Sequence, residues 1–196
     1  MALLERPGWK TAEVEAGPRT HRACCCFVLS TKLEVARLQM VEFATGPTGH
    51  NEMAGTPRNP WNTDRHPGGS SSGSGAAVAA GLLPGALGSD TGGSVRHPAS
   101  MCNLAGIKPT YGRVSRAGVV PLSFSLDNVG PLTRTVADNA IMLTAISGHD
   151  PRDPASARAE AVDFTADLDK GVKGLRIGLV RQFYTKDLDA QPEMAA

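Results

Sequence analysis

Residues 68–75, Gly68-Gly69-Ser70-Ser71-Ser72-Gly73-Ser74-Gly75, and residues 88–96, Gly88-Ser89-Asp90-Thr91-Gly92-Gly93-Ser94-Val95-Arg96, decide how this chain reads. They are two glycine-guarded serine clusters joined by an apolar, alanine-rich segment. Glycines packed this closely around hydroxyls let backbone N–H groups converge on one space without interference from Cβ atoms. A serine held there can attack a group whose developing negative charge those N–H groups then stabilise. A flexible Gly/Ser linker has similar composition, but residues 76–87 are apolar and helix-favouring, unlike a linker.

Further blocks stand in order around the clusters. Gly55-Thr56-Pro57-Arg58-Asn59-Pro60-Trp61-Asn62 precedes them, and Gly106-Ile107-Lys108-Pro109-Thr110 follows. Beyond lie Tyr111-Gly112-Arg113-Val114-Ser115-Arg116, Ser125-Leu126-Asp127 and Gly130-Pro131-Leu132. With the two serine motifs 24 residues apart, residues 40–150 resemble the amidase signature family. The resemblance implies an α/β fold, a mixed sheet flanked by helices, and a Ser–Ser–Lys hydrolase that cleaves a carboxamide C–N bond. Position by position, Ser94 would be the nucleophile that forms an acyl-enzyme. Ser70 would be the proton-shuttling serine on a cis peptide bond, with Ser71 beside it in support. The backbone N–H groups of Thr91, Gly92, Gly93 and Ser94 would form the oxyanion hole. Asp90 and Arg96 are spaced to pair across this loop as scaffolding. The resemblance implies a small amide substrate and no cofactor or metal.

The family's third catalytic group is a lysine that must be neutral, so burial has to lower its pKa from about 10.4. Counting back from Ser70 by the family's spacing reaches a point ahead of Met1. Only Lys10 and Lys32 lie upstream, and Lys32 sits in Ser30-Thr31-Lys32-Leu33-Glu34-Val35, a polar, helix-like pattern of a solvated charge. The expectation is therefore a family member without its base, inactive as this chain. Residues 1–39, with Cys24, Cys25 and Cys26 adjacent, carry no family block. Residues 151–196 read as a linker and the start of a further part, with a strand over residues 174–180. The expected organisation is thus an unmatched segment, a core over 40–150 and a truncated remainder.

Other readings of the same residues remain open at this point. Gly69-Ser70-Ser71-Ser72-Gly73 also fits G-x-S-x-G, so an α/β-hydrolase-type esterase could use Ser71 with Asp127 or Asp138 and then His149. That elbow needs a buried strand directly before it, whereas residues 62–67 are polar and end in proline. A non-catalytic, anion-binding loop ahead of a helix is a third reading, although no P-loop lysine follows. Within the family, a stand-alone amidase and the glutamine-hydrolysing subunit of an aminoacyl-tRNA amidotransferase, with its partner subunits, are both possible.

Composition narrows the classes. Twenty Lys and Arg against nineteen Asp and Glu leave a formal charge of +1, which gives no footprint for nucleic acid or membrane. The longest early apolar run, residues 23–29, is too short for a signal segment or a span, so cytoplasmic is the default. Four cysteines, three of them contiguous, make neither a disulfide framework nor a C-x-x-C zinc site. His50, His66 and His97 are scattered and read as surface or hydrogen-bonded residues. Periodicity predicts a helix over 31–43 with Leu33, Ala36, Met40, Val41 and Phe43 near one side. Four prolines make 46–69 irregular. A helix is expected over 72–83 and a strand over 86–89. Thr135 to Asp138 forms a capping-box-like start to a helix ending at Ser147, with Val136, Ala140, Ile141, Leu143 and Ile146 facing the core.

Overall fold

The computed structural model describes residues 10–11, 33–34, 36–160, 162–180 and 182–183. The chain divides into two compact units, residues 1–166 and 167–196. In the first unit the elements run β1 (Lys10–Thr11), β2 (Leu33–Glu34), α1 (Ser72–Ala79), β3 (Gly85–Asp90), α2 (Arg96–Met101), β4 (Ala105–Gly106), β5 (Asn128–Thr133) and α3 (Val136–Ile146). β1 and β2 pair in parallel. The main sheet is antiparallel with β5 in the centre, β3 on one side and β4 on the other. Its register runs from Gly85 opposite Thr133 to Asp90 opposite Asn128.

Every residue of β3 and β5 is buried, because helices cover both faces of the sheet. Side chains on a strand alternate, so Ala86 and Leu87 point to opposite faces. Ala86 packs with Ala77 and Val78 of α1, while Leu87 and Val129 pack with Met142 and Leu143 of α3. Leu132 joins Val95, just ahead of α2, and Ala99 of α2. Leu132 is fully buried, which contributes roughly 1.5–3 kcal/mol.

α1 is built from small residues because its surroundings leave no room. A Cβ on Gly73 would lie 2.5 Å from the Gln39 carbonyl oxygen, and the Ser74 hydroxyl donates to Leu87 O at 2.9 Å. The helix stops at Ala79, short of the expected Leu83. Gly81 takes φ +74°, donating its N–H to Val78 O while the Leu82 N–H reaches Ala77 O, a Schellman stop. α3 starts as its sequence predicts: the Thr135 hydroxyl accepts from the Asp138 N–H at 3.1 Å.

Three further expectations are corrected. Within residues 31–43, Leu33–Glu34 is a strand, 36–41 is not helical, and Glu42–Ala44 is a short 3₁₀ turn. Tertiary pairing overrides the periodicity, since the Val41 N–H donates to Ser70 O and Gln39 O accepts from Gly73. On α3 the inward face holds Asn139, Ala140, Met142 and Leu143, while Val136 and Ile141 are exposed. Asn139 turns inward because its amide donates to Ala105 O and Pro131 O. In the second unit, 174–180 forms no strand; its apolar side chains are exposed and no described strand offers a ladder. Among the described residues no helix is long and apolar enough to cross a membrane.

Candidate active site

The loop between β3 and α2 is organised by one carboxylate. Asp90 ends β3 with its side chain fully buried. Its Oδ1 accepts from the Gly93 N–H at 2.7 Å and Arg96 Nη2 at 2.9 Å. Its Oδ2 accepts from Val95 N at 3.1 Å, Arg96 N at 3.3 Å and Arg96 Nε at 3.0 Å. Burial by itself would raise the Asp90 pKa. The Arg96 guanidinium and the three backbone N–H groups outweigh it, and the net shift is downward. The carboxylate therefore stays ionised and holds residues 91–96 in one turn.

The first serine cluster lies against this turn. The Gly69–Ser70 peptide is cis. Ser70 is fully buried, its carbonyl accepts from Val41 N at 2.9 Å, and its hydroxyl has no partner among the described residues. Ser71 links the two clusters: its N–H donates to Ser94 O at 3.2 Å. The Ser71 hydroxyl accepts from Ser89 N at 3.2 Å and donates to Ser89 O at 3.3 Å. That approach requires glycine at 88, where a Cβ would sit 2.5 Å from Ser71 Oγ.

Ser94 is half-buried, and its side chain makes no hydrogen bond to a described residue. Of the expected oxyanion donors, the Gly93 N–H is engaged by Asp90 Oδ1 at 2.7 Å. The N–H groups of Thr91, Gly92 and Ser94 have no acceptor among the described residues.

One residue that sequence reasoning passed over as scaffold is Asp127. Buried like Asp90, it accepts from Leu122 N at 2.8 Å and Ser123 N at 2.9 Å through Oδ2, and from the Thr91 hydroxyl at 2.5 Å through Oδ1. It thus fastens the serine turn from the opposite end to Arg96. It also forms part of the wall of a cleft of about 520 Å³ whose lining includes Tyr111, Arg116, Phe124, Arg152 and Asp153. The Arg116 guanidinium stacks 4.6 Å from the Tyr111 ring centre and lies 3.5 Å from the Asp153 carboxylate. Nothing in a single sequence separates a buried aspartate from a solvated one, so its role was not legible.

The esterase arrangement is not assembled. Residues 62–69 form no strand ahead of Ser71, and the Ser71 hydroxyl is bonded to the β3 backbone. Asp127 faces Thr91, Asp138 faces Thr135, and His149 Nδ1 lies against Ser156 O. No group of three His, Cys, Asp or Glu could hold a metal among the described residues. Cys102 is buried and its thiol is pushed up to about 11 by desolvation, while Cys24, Cys25 and Cys26 lie outside the described residues. In the first unit Lys108 is the one lysine whose side chain is described, and its Nζ donates to Pro109 O at 3.2 Å.

Comparison with known proteins adds the family. A family model described as amidase matches residues 33–196. Over 150 residues the chain is 57% identical to a glutamyl-tRNA(Gln) amidotransferase subunit of Persephonella marina, covering 76% of this chain and 31% of that relative. The crystal structure of the same-named protein from Thermotoga maritima superimposes with a TM-score of 0.67 at 48% identity, covering 73% of this chain and 31% of the other. A vestigial protein complex described as revealing the origins of an s-triazine catabolic enzyme superimposes with a TM-score of 0.70 at 46% identity, over 74% and 32%. The chain therefore spans about a third of the length of these relatives. Matched along most of its length, and carrying both serine clusters on a sheet covered by helices, this chain belongs to the amidase family.

Proposed function

We propose that the two serine clusters form the nucleophilic part of an amide hydrolase. Ser94 Oγ attacks the carboxamide carbon, and its proton passes to Ser70 Oγ. The tetrahedral intermediate collapses to an acyl-enzyme as the proton is delivered to the leaving nitrogen, and water then releases the acid. The N–H groups of Thr91, Gly92 and Ser94 hold the oxyanion, while Gly93 holds the turn through Asp90. The observation that carries this reading is the Ser70 hydroxyl. It is fully buried, without a partner among the described residues, and tied through the Ser71–Ser94 backbone bond to a turn with three unengaged donors.

Ser70 needs a third group to accept and return the proton, for which the family chemistry uses a neutral lysine. Lys10 and Lys32 are the lysines upstream of Ser70 in this sequence, and Lys32 stands in the polar run Ser30-Thr31-Lys32-Leu33-Glu34-Val35, the setting of a solvated, charged amine. We therefore expect the 196-residue polypeptide, assayed by itself, to turn over amides at least about 100-fold more slowly than a full-length relative, the low end of what proton transfer contributes. Ser70 and Ser94 do not make up the difference, because members of such a unit act together. The test measures ammonia release from glutamine, acetamide and benzamide. Turnover within tenfold of the relative, lost in Ser94→Ala, would overturn this expectation and point to Lys10 or Lys32 as the base.

A second reading concerns the substrate. The 57% identity to a glutamyl-tRNA(Gln) amidotransferase component favours a glutamine-hydrolysing subunit working with partner subunits over a stand-alone amidase of small carboxamides. Stable co-purification with such partners supports it. Binding of benzamide in preference to glutamine counts against it.

A further inference from the structure

We infer that His97 is a positioning residue for Ser70. On taking up a proton it exchanges a hydrogen bond with the Gly69 N–H for one with the Gly69 carbonyl. The inference rests on the role proposed above for Ser70. His97 lies on α2, one turn past Ser94, and its Nδ1 is 3.3 Å from Gly69 N and 3.3 Å from Gly69 O. The Gly69 carbonyl carbon is bonded directly to the Ser70 nitrogen, so a pull on that carbonyl acts on the peptide unit carrying Ser70. The Ser70 hydroxyl has no bond of its own to fix it among the described residues, which leaves its backbone as its restraint.

The exchange follows from imidazole chemistry. Neutral imidazole has one donor and one acceptor nitrogen, whereas the imidazolium has two donors. With the proton on Nε2, Nδ1 accepts from the Gly69 N–H. Once Nδ1 is protonated it can no longer accept, and the carbonyl at the same distance becomes its partner through a stronger, charge-assisted bond.

The groups around it are few. On α2 itself Arg96 is tied to Asp90 of β3, and Cys102 at its end donates to Pro67 O. The preceding loop brings His66, whose ring centre is 6.2 Å from that of His97 and whose Nδ1 accepts from the Gly68 N–H at 3.1 Å. α1 and β4, which also pack on α2, carry no titratable side chain.

The test is an NMR titration of the uniformly ¹⁵N-labelled 196-residue chain, following the histidine ring nitrogens and the Gly69 and Ser70 amides. The expected result is an Nε2–H tautomer for neutral His97, with both amides shifting at the midpoint of the His97 ring. His97→Gln should abolish that titration while the β3 and β5 amides keep their positions, and His66→Gln should preserve it. Amides that follow His66, amides that do not titrate, or a neutral His97 protonated on Nδ1 would each overturn the inference. The wild-type titration decides even where a variant fails to fold. None of these signals depends on Ser94 reacting, so failure here is distinguishable from failure of the catalytic reading.

Discussion

Two turns of this molecule are each built around a buried aspartate, and they differ in how the charge is met. Asp90 accepts from three backbone N–H groups and from two nitrogens of Arg96. Asp127 accepts from two backbone N–H groups and the Thr91 hydroxyl, with no cation bonded to it among the described residues. The Asp90 turn presents glycines and Ser94, whereas the Asp127 turn presents Leu122, Phe124 and Leu126 to the exterior. The two are joined at Thr91, which ends one network and feeds the other. An ionised carboxylate paired with a cation and held by five donors can hold donors of a nearby turn in fixed directions, as an oxyanion site requires. The Asp127 turn shapes a wall and braces its neighbour.

The largest expected effect breaks the first network. Asp90→Ala strips an acceptor from three backbone N–H groups and leaves Arg96 unpaired. It should cost about 3 kcal/mol in urea unfolding, the low end for a broken buried pair because Arg96 stays half in solvent. Asp127→Ala should cost about 2 kcal/mol, since no charged partner is stranded. If the two losses come out equal, the contrast between the turns fails.

Acid sharpens the same comparison. The folded-state pKa of Asp90 is lowered, so its contribution is fully present above the unfolded carboxylate value of about 3.9 and is lost as pH falls through the folded value. Asp150, lowered by its bond from Arg152, adds to the same acid limb. Asp90→Asn should therefore flatten the fall in stability below about pH 4 relative to the parent chain. An unchanged slope would remove Asp90 from the account of acid unfolding. The smallest effect belongs to Arg96→Gln. The fully buried Asp90 carboxylate loses its cation but keeps its three backbone donors, so the loss should be about 1.5 kcal/mol.

Much of this arrangement was legible because it is local. Thr135 and Asp138 announced the start of α3, the serine clusters announced the turn, and the spacing of Asp90 and Arg96 announced their pair. What was missed depends on contacts distant in sequence. The segment before residue 44 reads as an amphipathic helix, yet the backbone of Gln39 and Val41 pairs with Gly73 and Ser70 instead. Val136 and Ile141 look like core residues until Asn139 takes the inward position for its bonds to Ala105 and Pro131. Gly93 reads as one more free donor, and only the folded turn directs its N–H to Asp90. Asp127 stood in a family block, yet its bracing role was not legible, because its three donors come from Thr91 and from a turn whose closure the sequence does not mark.

The central claim is that Ser94 is the reacting hydroxyl and Ser70 its proton relay. Peptide mapping after incubation with a small fluorophosphonate tests it most directly, because the adduct records which oxygen attacked. The account predicts slow formation of a single adduct on Ser94, absent in Ser94→Ala and slower still in Ser70→Ala. An adduct on Ser71, or labelling unchanged by Ser94→Ala, would contradict it.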